Sequence, residues 1–310
     1  MRAKFLGRDD GASFRHWCNA PSSARNCQAH PRVTEPRMRE RPWRAKSRAQ
    51  RRHRVGRDEE LRRAHRRKER RDAAAPIVLY GWHTVTAALA NPARRFHRIL
   101  TTENAARRLA DDGIKLPIAP ELVRPDVIAT RLSPDAVHQG ILAEADPLPA
   151  PALADLPADG IVLVLDQITD PHNVGAILRT AAAFAAAAVV TTVRHSPEAT
   201  GVLAKSASGA LEWVPIVSVQ NLARGIADLK AHGFLVVGLD SAAADDLSAM
   251  QLSLPLALVL GAEGKGLRQG TRAVCDRLAR LELPGAIKSL NVSNAAALAL
   301  YVASRAVAAR

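Results

Sequence analysis

The sequence predicts an α/β fold built on a mostly parallel sheet with helices on both faces. Three observations predict it. The short apolar runs Ile161–Leu165 and Leu256–Leu260 read as strands buried on both sides. Between and after them, strand-like and helix-like patterns alternate, as the crossovers of a parallel sheet require. Polar or glycine-rich segments follow such units, and in open α/β sheets ligands sit beyond the carboxyl ends of the strands.

Length allows about two domains. Residues 1–75 hold 23 Lys and Arg against 9 Asp and Glu, so the whole formal charge of +14 lies there, while residues 76–310 hold 21 of each. This arm has little apolar periodicity and is expected to be disordered; 58–72 is at most a charged helix with no face to bury. A basic arm is the electrostatic signature of a nucleic-acid partner, and a solvated tail without function is the plainer alternative. Order is expected from Ile77 to Gly81 onward, in a small α/β unit reaching Ala145 (domain 76–145). Its strands are Ile99–Thr102 and Val137–Ala143, the second opening in a polar turn. Pro147, Pro149, Pro151 and Pro157 make 146–159 a linker. In the domain 160–310, strands are expected at Ile161–Leu165, Ala187–Thr191, Phe234–Leu239, Leu256–Leu260 and Leu278–Leu283. Helices are expected at Asn173–Phe184, Pro197–Ala210, Asn221–His232 and from Asn291 onward. No internal repeat is visible.

Several classes are excluded. No run of about 18 uncharged apolar residues offers a membrane span, and the N-terminus lacks the apolar core of a signal peptide. Cys18, Cys27 and Cys275 are too few and scattered for a disulfide framework, which fits a reducing cytoplasm. Cys18, Cys27 and His30 lack a fourth ligand, so no metal is expected. No Ser/His/Asp constellation emerges, and without G-x-G-x-x-G after the first strand a dinucleotide-dependent dehydrogenase is remote.

Three segments are candidates for one site assembled from loops. Gly261, Gly264 and Gly266 follow a strand, where backbone N–H groups can approach a ligand closely, or they form only a glycine-rich turn. Asn173 stands at a helix start and is a natural N-cap. Six residues on, Arg179 sits among Ala176, Ile177, Leu178, Ala181 and Ala182; it needs either an exit to solvent or an anion, such as Glu263 or a phosphate held bidentately. Ser289, Asn291, Ser293 and Asn294 give an otherwise apolar helix more polar groups than capping requires, which suits a polar ligand. His172 either touches substrate or is an exposed turn residue.

These residues resemble the SpoU family of RNA ribose 2′-O-methyltransferases, in the SPOUT superfamily. Its N-x-G-x-x-x-R stands as Asn173, Gly175 and Arg179; its L-G-x-E-G-x-G as Leu260, Gly261, Glu263, Gly264 and Gly266; its S-L-N-V-S as Ser289 to Ser293. The motifs occur in order between Asn173 and Ser293. The unit at 77–145 looks like the family's L30e-like substrate-binding domain, on Tyr80-Gly81-x-His83 and Val137-His138-Gln139-Gly140. The combination looks most like the branch acting on guanosine of 23S rRNA, with tRNA-modifying members as the near alternative and a non-methylating RNA-binding protein as the distant one.

The resemblance implies a C-terminal trefoil knot, otherwise almost absent from proteins, with S-adenosylmethionine bound in the knot loops. By motif, Gly261, Leu283 and Leu290 would meet the cofactor through backbone groups, with Leu239, Asp240 and Ser289 beside them. Arg179, Asn173, Glu263 and Asn291 would act at the ribose, the last three holding Arg179 in place. His138, Gln139 and His172 would contact RNA. A homodimer is implied, with the final helix facing a second subunit. The chain departs from the family in a loop from Leu283 to Ser289 that is about two residues shorter than usual, in Leu283-Pro284 standing for Ile-Pro, and in Asn294 after N-V-S.

Overall fold

The computed structural model describes residues 76–194 and 201–308. The basic arm of 1–75 and the start of the helix expected from Pro197 lie outside the described residues.

The first unit is a four-stranded sheet, ordered β1 (Ile77–Tyr80), β4 (Ile141–Ala145), β2 (Phe96–Thr101) and β3 (Glu121–Leu122). The first three strands are antiparallel neighbours, and β3 adds a short parallel edge. Helices α1 (Trp82–Ala90), α2 (Glu103–Asp111) and α3 (Pro125–Ala129) accompany it. Its core joins Leu79, Trp82, Val85, Ile99, Leu109 and Ile141. The unit is shut on one side by Ala204, which belongs to the second unit.

That second unit is a seven-stranded sheet in the order β7-β6-β5-β10-β8-β11-β9, and every pairing in it is parallel. The strands are β5 (Ile161–Asp166), β6 (Ala188–Thr192), β7 (Ile216–Val219), β8 (Leu235–Leu239), β9 (Asp245–Asp246), β10 (Leu256–Gly261) and β11 (Arg277–Arg280). The helices are α4 (Pro171–Ala183), α5 (Gly201–Ala207), α6 (Leu222–Ala231), α7 (Gln269–Val274) and α8 (Val292–Ala308). Alternation along the central strands divides the core. Leu163, Leu165, Leu258 and Leu260 pack with Ile177, Leu178, Ala296 and Leu300 of α4 and α8. Val162, Val164, Ala257 and Val259 face the other way, toward Ile226 and Leu229 of α6. Both faces of β5 and β10 are therefore apolar, which is why these strands read as unbroken runs. β7 and β9 go beyond the strands expected from the sequence; they are short and lie at the sheet's edges. The helix expected to run to Ala210 ends at Ala207, and a single 3₁₀ turn follows at Ala210–Glu212.

The two units meet at a polar joint inside apolar packing. Arg94 and Glu212 form an ion pair with side chains 2% and 3% exposed. Arg94 also donates to the Asp146 carbonyl at 2.7 Å, tying in the start of the proline-rich connection. Thr84 Oγ1 donates to the Ala204 carbonyl at 3.2 Å. No helix among the described residues is long and apolar enough to cross a membrane.

Candidate functional site

Because β5, β8, β10 and β11 are parallel, their carboxyl ends open at one edge of the sheet, and the loops leaving them come together there. The loop after β5 enters α4 through Asp170 and Pro171. The Asp170 carboxylate accepts from the backbone N–H groups of His172 (3.1 Å) and Asn173 (3.3 Å), and Pro171 sets the first helical turn. Asp170, not Asn173, is the N-cap, correcting the expectation from the sequence. The Asp-Pro pair takes the capping role and leaves the Asn173 amide for another partner.

That partner is the glycine-rich loop. Asn173 Nδ2 donates to Glu263 Oε1 at 3.3 Å, and Asn173 Oδ1 accepts from Asn291 Nδ2 at 3.0 Å. The same Asn291 Nδ2 donates to Glu263 Oε1 at 2.8 Å, and Val292 N–H donates to it at 3.1 Å. Asn291 Oδ1 accepts from Ser293 N at 2.8 Å and so caps α8. One carboxylate oxygen thus joins three segments far apart in sequence.

Beside this network is a cavity of about 250 Å³. Leu239, Leu260, Leu281, Leu283, Leu290 and Val292 supply apolar walls; Asp240, Ser241, Lys288 and Ser289 supply polar groups. The Gly261–Gly266 loop presents its backbone, with Gly264 (φ 75°) and Gly266 (φ 64°) in the left-handed region that favours glycine. A Cβ on Gly261 would lie 2.2 Å from the Gly266 carbonyl carbon, so the loop closes on itself only over glycine. Apolar walls around a few convergent polar groups and bare backbone suit a nucleoside-like cofactor. All six residues that the family resemblance implies for the cofactor, Leu239, Asp240, Gly261, Leu283, Ser289 and Leu290, line this cavity. The Asp240 carboxylate is engaged with Arg272 at 3.0 Å and with Ala242 N–H at 2.9 Å. Lys288, which sequence reasoning passed over, donates to the Leu283 carbonyl at 2.5 Å and closes the short loop.

Arg179 is elsewhere. Six residues of helix carry it about 9 Å along α4 and about 120° around from Asn173. It makes no hydrogen bond or ion pair with Asn173, Glu263 or Asn291, so the expectation that these three hold it is corrected by the geometry of the helix. Arg179 is exposed and lines an open groove with His83, Thr86, Ala87 and Ser208. The groove joins α1 of the first unit to α4 and the segment after α5 in the second, and among the described residues no carboxylate lines it.

The expected RNA-contacting residues lie along the same joint. His172 is exposed, with Nδ1 3.2 Å from Ser206 Oγ. Gln139 is exposed and also braces the joint. Its Oε1 accepts from Trp82 N–H at 2.9 Å and from Lys205 Nζ at 3.1 Å, linking the units. His138 Nδ1 accepts from Gly140 N–H at 3.1 Å and shapes the turn. Burial pushes the His138 imidazole below its usual pKa and lowers that of the Lys205 ammonium, since both lose water around the charged form.

Comparison with known proteins agrees with this geometry. Residues 160–301 match the SpoU rRNA Methylase family, and residues 78–151 match the RNA 2′-O ribose methyltransferase substrate-binding family. The 23S rRNA (guanosine-2′-O-)-methyltransferase RlmB of Ralstonia nicotianae is 39% identical over 236 residues, covering 74% of this chain and 95% of that protein. The RlmB of Pseudomonas putida is 38% identical over 238 residues, covering 73% and 95%. Among solved structures, the SpoU methyltransferase AviRb from Streptomyces viridochromogenes, in complex with AdoMet, superposes with a TM-score of 0.65 at 23% identity, covering 74% of this chain and 90% of that one. The chain belongs to the SpoU rRNA methylase family.

Proposed function

We propose that this protein transfers a methyl group from S-adenosylmethionine to the 2′-hydroxyl of a ribose in structured RNA, at a guanosine of 23S rRNA. The observation that carries this reading is the convergence of Asn173, Glu263 and Asn291 beside a cavity walled by leucines and glycine backbone. The relatives named for that activity match nearly their whole length. When bound, the cofactor supplies an electrophilic methyl group, so no metal is required. The chain's own residues bind and orient. The Gly261–Gly266 backbone, Leu239, Leu283 and Leu290 hold the cofactor, with Asp240 and Ser289 at its polar edge. The Glu263 network fixes these loops against one another. The Arg179 guanidinium binds and orients the ribose and its adjacent phosphate, and proton loss from the hydroxyl is assisted by that phosphate. RNA follows the groove at the joint, where His83, Thr86 and Ser208 add hydrogen-bonding groups beside Arg179.

We further infer that the loops around the cavity form a trefoil knot and that the protein acts in the cytoplasm as a homodimer. Leu298 and Tyr301, 44% and 54% exposed on α8, are apolar surface for such an interface. The test is incubation of the full chain with radiolabelled S-adenosylmethionine and unmodified 23S rRNA or tRNA, followed by mapping of ribose methylation. Methylation of one guanosine in 23S rRNA is the expected result. Methylation of tRNA alone would move the substrate, and cofactor binding without transfer to either RNA would leave a binding protein.

A further inference from the structure

The sequence motifs leave out Asp166, the last residue of β5. Its side chain is fully buried at 0% exposure. Oδ2 accepts from the Arg268 backbone N–H at 3.0 Å, and Oδ1 accepts from Arg268 Nε at 2.6 Å. A buried carboxylate is costly unless its oxygens are paired and hydrogen-bonded. Here both oxygens go to one residue, and that residue ends the glycine-rich loop. The loop's other end is next to Asp166 as well, because Gly261 pairs with Asp166 in the β10–β5 ladder. Within the loop, Gly266 N–H donates to the Ala262 carbonyl at 2.8 Å. Glu263, Gly264, Lys265 and Gly266 are exposed, and two of them are glycines with positive φ, so the loop has little packing of its own. Leu267, 9% exposed, is its one apolar anchor.

We propose that Asp166 is a positioning residue for methyl transfer, clamping Arg268 so that the Gly261–Leu267 backbone stands ready to receive the cofactor. It touches neither cofactor nor RNA; it removes from the loop the alternative conformations that two glycines allow. The proposal rests on the reading of the neighbouring cavity as the cofactor site.

The test compares the native full chain with Asp166→Asn and Asp166→Ala. Calorimetric titration with S-adenosylmethionine is expected to show Kd raised about tenfold in Asp166→Ala, which is about 1.4 kcal/mol. Asp166→Asn, which keeps one acceptor oxygen for the Arg268 N–H, should show a smaller rise. KM for the cofactor should follow Kd, while kcat at saturating cofactor and RNA affinity stay within twofold; a general loss of structure would lower all of them. Amide hydrogen exchange at Gly264–Leu267 should quicken in both variants without any cofactor present. Folded variants with native Kd, or with unchanged exchange in the loop, would overturn the clamp. Should Asp166→Ala not fold, the isosteric Asp166→Asn decides on both measurements. If the native chain itself does not bind the cofactor, the cavity reading fails, and the exchange measurement alone decides the clamp.

Discussion

Glu263 Oε1 accepts from Asn173, Asn291 and the Val292 backbone, all within 3.3 Å. Charge-assisted bonds of this kind are roughly twice as strong as neutral ones. Glu263→Ala removes the common acceptor and should lower turnover at least a hundredfold in the methylation assay. The chain should still fold, because Glu263 is exposed. Arg179→Ala should abolish turnover with cofactor affinity within twofold of native, as titration calorimetry would show, since Arg179 lines a different concavity. His138 has a sign that can be worked out. Its folded pKa lies below the unfolded value near 6.5, so the unfolded chain binds the extra proton first. The stability it contributes is present above about pH 6.5 and is lost as pH falls from there through the lower folded pKa. Melting temperature should therefore decline from pH 7 to 5, and His138→Asn should flatten that slope.

At the scale of elements, α4 and α5 touch through Gly175. A Cβ there would lie 2.3 Å from Ser206 Cβ and 2.9 Å from the Ala207 backbone nitrogen. Gly175→Ala should push the helices apart and cost about 1–3 kcal/mol in urea denaturation. Gly175 is legible in the sequence as part of a motif, but its packing role is not, because α5 is separated from it by a strand and a crossover. The buried strands β5, β6, β8 and β10 can be read directly, since both of their faces are apolar. β7, with Ser218 exposed and only four residues, carries no such signal. The start of α4 lies earlier than the apolar pattern suggests, although Asp170-Pro171 is a recognisable cap-and-first-turn pair. Asp166 is illegible in the sequence because its meaning depends on Arg268, which only the sheet brings near. The resemblance implies an RNA contact at Gln139; its φ of 55° and its bonds to Trp82 and Lys205, which link the two units, could not be read from the sequence.

For the whole molecule, the Arg94–Glu212 pair decides how firmly the two units are joined. With one partner removed, the other is left as an uncompensated buried charge, a loss of about 3–5 kcal/mol. Arg94→Ala should lower stability by that order and should speed thermolysin cleavage between Leu148 and Leu156, because Arg94 also holds the Asp146 carbonyl. The groove holding Arg179 and His83 depends on the same joint, so RNA affinity should fall in this variant along with stability. Residues from Ile161 to Asp166 pair with Leu256 to Gly261 on one side and with β6 on the other. β6 follows β5 closely in the chain, and β10 does not. During synthesis, β5 therefore waits as an open apolar edge until β10 leaves the ribosome, an interval of seconds at about 5–20 residues per second. An unpaired edge of this composition is a template for another chain's strand, so the central ladder that builds the site also makes the newborn protein a natural client for chaperones.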